Sequence, residues 1–158
     1  MENQLRVLCV DNDDTCELLS TILGFSKIEV VSAFTIADAW RLAQTETFDL
    51  YLLETRLPDG DGFELCRRLH HLAPRTPIVF YSGEALETDR QKGLAAGATA
   101  YLVKPYFDDL TSTILEIITD RDRSTSASLP VFDDVMISRK NTFKQKLAGL
   151  ADCAATTD

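Results

Sequence analysis

Residues 48–66 read FDLYLLETRLPDGDGFELC, and this stretch decides the architecture. Its first six residues are almost wholly apolar, with none of the in–out alternation of a half-exposed strand. The turn signals Pro58-Asp59-Gly60 and Asp61-Gly62 then stop the run. Beyond them, residues 63–72 carry apolar side chains at helical spacing. A strand that is apolar on both faces belongs in a parallel sheet covered on both sides, and strand–turn–helix is the repeating unit of such a sheet.

The same unit recurs in both directions. Upstream, residues 5–10 (LRVLCV) form a β-rich run broken by Asp11-Asn12-Asp13-Asp14. Leu18, Leu19, Ile22 and Leu23 follow at helical spacing, with Gly24 as the stop. Residues 28–32 (IEVVS) predict a second strand, and Thr35 caps a helix carrying Ala37, Trp40 and Ala43. Downstream, residues 77–81 (PIVFY) predict a strand and residues 84–96 a helix ended by Gly97. Residues 101–103 predict a short fifth strand and residues 109–119 a fifth helix, with Leu110, Ile114, Ile117 and Ile118 inward. Five strands alternating with five helices, joined by right-handed crossovers, make an α/β fold with a doubly wound five-stranded parallel sheet and helices on both faces.

Composition narrows the function. The chain has 158 residues, 45% hydrophobic and 26% charged, which excludes wholesale disorder, collagen-like repeats and a disulfide miniprotein. A domain of this size buries about two-thirds of its unfolded surface and needs no metal or disulfide to fold. No apolar run approaches the roughly 18 residues of a membrane span, and carboxylates appear too early for a signal peptide, so a cytoplasmic protein with no membrane contact is expected. Residues 1–121 hold 20 acidic and 11 basic side chains, whereas residues 122–158 hold five of each. Such an acidic body argues against nucleic-acid binding, which rests on Lys and Arg neutralising phosphates. Cys9, Cys16, Cys66 and Cys153 form no CxxC pair and read as reduced thiols rather than a zinc or redox site.

In doubly wound sheets the functional crevice lies at the C-terminal ends of the strands. That rule selects residues 11–14, 54–56, 82–83 and 104–105, and so brings Asp11, Glu54, Ser82 and Lys104 to one rim. Oxygen ligands of this kind suit Mg²⁺, while a Lys and a hydroxyl beside them suit a phosphoryl oxygen. Asp13 and Asp14 read as acids capping the first helix.

The segments VLCVDND (7–13), LLETRLPDGDGFELCRRL (52–69), PIVFYSGE (77–84) and GLAAGATAYLVKPY (93–106) resemble a bacterial response-regulator receiver domain. The resemblance covers residues 1 to about 120 and implies the flavodoxin-like strand order 2-1-3-4-5. It also implies two acids after strand one that bind Mg²⁺, and an Asp after strand three that takes a phosphoryl group from a histidine kinase. By position it makes Ser82 and Lys104 the phosphoryl contacts, Tyr101 the switch aromatic and Lys104–Pro105 a cis bond. Its metal site would use Asp11, Asn12, Glu54 and the backbone carbonyl of Arg56. The partner surface it implies lies on the fourth helix, fifth strand and fifth helix, around Leu86, Arg90, Tyr101, Val103, Tyr106 and Phe107.

Two departures from that pattern carry the functional reading. The phospho-acceptor position is Glu54, and the second acid is Asn12. A displacement of about 1 Å can lower an in-line transfer rate on the order of 100-fold, so a longer nucleophile is badly placed. A neutral amide weakens the Mg²⁺ site, leaving Lys104 to compete for the remaining anions. The expectation is a degenerate, non-catalytic pseudo-receiver that requires no cofactor, binds Mg²⁺ weakly or not at all, and acts through protein contacts. Either Glu54 and Lys104 hold Ser82 inward permanently, or they form a plain salt bridge in a retired site. The competing readings are a working Mg²⁺-dependent phospho-acceptor and a scaffold that oligomerises through its tail. Tyr101 fits either an exposed or a buried setting.

Residues 122–158 are expected to form a linker and tail. Residues 121–128 are polar, and residues 141–150 place Phe143, Leu147 and Leu150 on one helical face beside Lys140, Lys144 and Lys146. That face suits an acidic partner, a second copy of the chain, or packing back on the domain. It is too short for a DNA-binding output domain.

Overall fold

The computed structural model describes residues 3–106 and 109–123. Among the described residues seven strands and five helices follow in this order: β1 (Arg6–Val10), α1 (Asp13–Gly24), β2 (Glu29–Ala33), α2 (Ile36–Thr45), β3 (Leu50–Leu53), β4 (Arg56–Leu57), β5 (Gly60–Asp61), α3 (Gly62–Leu72), β6 (Ile78–Ser82), α4 (Glu87–Ala95), β7 (Ala100–Val103) and α5 (Leu110–Arg123). The main sheet runs β2-β1-β3-β6-β7 with every pair parallel. This is the doubly wound order expected, with β6 and β7 as its fourth and fifth strands.

Burial follows position in the sheet. All residues of β3 and β6 are buried, as central strands covered on both faces must be. β2 lies at the edge and buries only Ala33 fully. On one face Leu8, Val10, Leu53 and Phe80 pack with Ala39 and Ala43 of α2 and with Leu65 and Leu69 of α3. The alternate residues face the other way, where Cys16 of α1 touches Cys9 at 3.4 Å between sulfurs. Cys9, Cys16 and Cys66 are buried free thiols, and burial pushes the Cys66 thiol up to about 12.

Four boundaries differ from the sequence expectation, each for a local reason. Asn12, rather than Asp13 or Asp14, caps α1: its side chain accepts from Thr15 N at 2.8 Å, and the two acids occupy the first turn. The turn signals after β3 make a two-stranded antiparallel ribbon, β4–β5. Asp59 at its tip accepts hydrogen bonds from Ile36 N (2.8 Å) and Ala37 N (3.1 Å), so the ribbon is tied to the start of α2. α4 begins at Glu87 rather than 84, because Glu84 N is bonded to Ser82 Oγ outside any helix. α5 continues to Arg123, past the expected linker start at 121. Its last turn carries Arg121, which donates to the Asp49 carbonyl at 3.2 Å and favours the helix dipole.

Trp40 is half-buried and packs against the core, with the Arg68 guanidinium 4.1 Å over its ring. Phe107 and the tail elements read from residues 124–158 lie outside the described residues.

Candidate functional site

Four strand ends deliver the rim. β1 brings Asp11, β3 brings Glu54 and Thr55, β6 ends on Ser82, and β7 leads into Lys104. The first two acids behave alike. Asp11 accepts from Asn12 N through one oxygen (2.7 Å) and from Lys104 Nζ through the other (2.7 Å). Glu54 accepts from Thr55 N through Oε1 (2.6 Å) and from Lys104 Nζ through Oε2 (2.8 Å).

Lys104 is held from several sides. Its side chain is 22% exposed, its ammonium lies 5.4 Å from the Tyr81 ring centroid, and the Lys104–Pro105 bond is cis as expected. Burial works against its charge, but the hydrogen bonds to Asp11 and Glu54 outweigh that and raise its pKa. Burial likewise pushes Glu54 upward, yet bonds from Lys104 and the Thr55 amide hold it below the usual carboxylate range. Asp11 goes the other way: burial dominates, and Lys104 and the Asn12 amide only partly offset it. Two acids that share one ammonium are thereby separated, the more enclosed one being the harder to ionise.

The hydroxyls complete the rim. Thr55 Oγ1 donates to Glu54 Oε1 at 3.1 Å and pairs with Ser82 Oγ at 3.0 Å. Ser82 Oγ accepts from Glu84 N at 3.2 Å, and the Glu84 carbonyl accepts from Tyr101 OH at 2.7 Å. Tyr101 is 3% exposed, which corrects its expected place among the displayed residues of the partner surface. Leu86 is displayed, at 67% exposure, while Val103 and Tyr106 are half-buried.

Sequence reasoning missed Thr55 and Gly62. Threonine after a strand reads as ordinary β-rich filler, and only its neighbours in space give it a role. A Cβ on Gly62 would lie 2.1 Å from the Glu54 carbonyl oxygen, so only glycine lets α3 start against the Glu54–Thr55 backbone. Gly62 N in turn donates to the Thr55 carbonyl at 2.8 Å.

The crevice above these groups encloses about 600 Å³, lined by Asp11, Asn12, Phe34, Glu54, Arg56 and Ser82 among others. As arranged, it does not fit Mg²⁺. Lys104 places its ammonium between the two carboxylates, Asn12 Oδ1 is used as the α1 cap, and no cluster of three His, Cys, Asp or Glu side chains suited to a metal exists among the described residues. The Arg56 side chain points outward, 82% exposed, and pairs with Glu84 at 3.2 Å.

Comparison with known proteins identifies the family. The family model described as response regulator receiver domain matches residues 7–115. Response regulator protein PilR of Pseudomonas aeruginosa is 34% identical over 105 residues, covering 66% of this chain and 24% of that protein. Cell cycle response regulator CtrA of Brucella ovis is 27% identical over 135 residues, covering 85% of this chain and 58% of that one. Among solved structures, a CheY-like receiver domain protein from Methanospirillum hungatei JF-1 superposes with a TM-score of 0.73 at 31% identity, covering 77% of this chain and 99% of that one. The chain belongs to the response regulator receiver domain family. It spans less than two-thirds of the length of either curated relative, so the activities of those whole proteins are not carried over.

Proposed function

We propose that this chain is an atypical receiver module of a two-component or phosphorelay system. On this reading it works in the cytoplasm by protein contact, catalyses no reaction of its own, and is not switched by aspartyl phosphate. One observation carries the reading: the Lys104 ammonium bridges Asp11 and Glu54, while the other oxygen of each acid is bonded to the amide that follows it.

A phospho-acceptor must offer a carboxylate oxygen in line with its donor, beside a cation that neutralises the developing charge. Here the acceptor position is a glutamate curled onto its own neighbour, and the cation present is an ammonium fixed to the chain. Opposite unit charges at ~4 Å attract by about 4 kcal/mol at an effective dielectric of ~20, before desolvation is counted. A weakly held Mg²⁺ competes poorly with a tethered Lys under those terms. The module then presents one fixed surface to a histidine kinase, another partner protein or a second copy of itself. Leu86 and its surroundings at the start of α4 are the displayed part of that surface.

Incubation with acetyl phosphate and Mg²⁺ followed by intact-mass measurement tests this. The native chain is expected to show no phosphoryl adduct, and the Glu54→Asp, Asn12→Asp double variant to show one. An adduct on the native chain that disappears in Glu54→Gln would overturn the reading in favour of a working phospho-acceptor.

A further inference from the structure

Thr55 is 3% exposed, Ser82 is fully buried, and their hydroxyl oxygens lie 3.0 Å apart. Each hydroxyl has one proton to give. Thr55 Oγ1 donates to Glu54 Oε1 at 3.1 Å, so Thr55 spends its proton there and its oxygen is left to accept from Ser82. Ser82 Oγ, having given its own proton, accepts from Glu84 N. The donors therefore run in one direction, from the Glu84 amide through Ser82 and Thr55 to the Glu54 carboxylate. Bonds aligned head to tail and ended on a charge reinforce one another.

That line reaches Tyr101. Glu84 is held through its N–H by Ser82, and its carbonyl, in the next peptide unit, is the acceptor for Tyr101 OH at 2.7 Å. The Tyr101 ring packs 5.7 Å from Phe80, centroid to centroid, and a Cβ on Gly93 would lie 3.1 Å from it. Ring packing alone gives Tyr101 a pocket, while the hydroxyl bond fixes which way it faces. Thr55 is the link at which this line is joined to the acid pair.

We propose that Thr55 is a positioning residue: it latches Ser82 to Glu54 and so keeps Tyr101 buried with no added group at the rim. This rests on the reading of Glu54 as a permanent, unmodified carboxylate. Val at this position matches the shape of Thr and carries no hydroxyl, so it opens the latch. Ser keeps the hydroxyl and loses only a methyl group.

The test is nitration of the full-length chain with tetranitromethane, read tyrosine by tyrosine after peptide mapping. Tyr51, 2% exposed and remote from the rim, reports whether each variant is folded. In Thr55→Val the rate at Tyr101 is expected to rise about tenfold with Tyr51 unchanged, while Thr55→Ser stays at the native rate. Native-like protection of Tyr101 in Thr55→Val, or equal exposure in Thr55→Ser, overturns the proposal. Should Thr55→Val expose Tyr51 as well, Thr55→Ala is measured against the same two outcomes. Intact mass after acetyl phosphate, taken on the same samples, separates the two readings. An adduct on native Glu54 defeats the proposed function, whereas no adduct with Tyr101 insensitive to Thr55 defeats the latch alone.

Discussion

A single ammonium serves two carboxylates at the rim, and the carboxylates answer to it differently. Glu54 is held below the usual carboxylate range and Asp11 above it. A carboxyl lowered by folding stabilises the native state above its unfolded value, about 4.3, and that contribution is lost as the pH falls through the lower folded value. Asp11 has the opposite sign, because a carboxyl raised by folding opposes folding at neutral pH and is relieved by acid. Glu54→Gln keeps the length and one acceptor but removes the charge, after which Lys104 serves Asp11 alone. We expect urea denaturation to show this variant less stable than the native chain by about 1 kcal/mol at pH 7. The difference should close as the pH drops below about 4. A gap that widens in acid would mean that the charge of Glu54 contributes nothing.

At the scale of elements, β3, β6 and the helices were readable because their apolar runs and spacings are local. The cis Lys104–Pro105 bond followed from the family resemblance. The β4–β5 ribbon was not readable, since two-residue strands have no periodicity and this ribbon is tied by Asp59 to a helix 22 and 23 residues away in sequence. The late start of α4 escaped notice for a similar reason: residues 84–86 look helical, yet Glu84 is claimed by Ser82 and Tyr101. The rim acids and Lys104 were found because strand ends converge, whereas Thr55 and Gly62 matter only through contacts that no spacing reveals. Gly62 gives the sharpest expectation here. Its added Cβ meets backbone, the Glu54 carbonyl and Thr55 Cα, which cannot swing aside. Gly62→Ala should therefore lower stability by about 3 kcal/mol in urea denaturation, whereas a loss under about 1 kcal/mol would show that the start of α3 shifts freely.

For the whole molecule, charge is the dominant long-range feature. The chain carries a formal net charge of −9 at pH 7, with an isoelectric point near 4.7. Self-repulsion on that scale opposes compaction and is screened by salt, while the enclosed Lys104 pairs are screened much less. The urea midpoint is expected to rise between about 0.01 and 0.2 M NaCl. A fall would show that exposed pairs such as Arg6 with Glu29 and Glu46 outweigh the repulsion. Any surface that docks on this body meets mostly carboxylates, so a basic or apolar partner face is favoured over an acidic one. Among the described residues no helix is long and apolar enough to cross a membrane.

The grip of Asp59 on the first turn of α2 has a mechanical meaning for the crevice beside it. Both of its carboxylate oxygens are engaged there, and Gly60 is packed so closely that a Cβ would lie 3.0 Å from Ile36 Cδ1. That wall of the opening is riveted to a helix, whereas the facing wall, residues 83–86, is held at Glu84 by bonds to Ser82 and Tyr101 and by an exposed ion pair with Arg56 of the ribbon. A visitor to the crevice that needs more room will find it by displacing the second wall, and the side chain that moves with it is the tyrosine beneath.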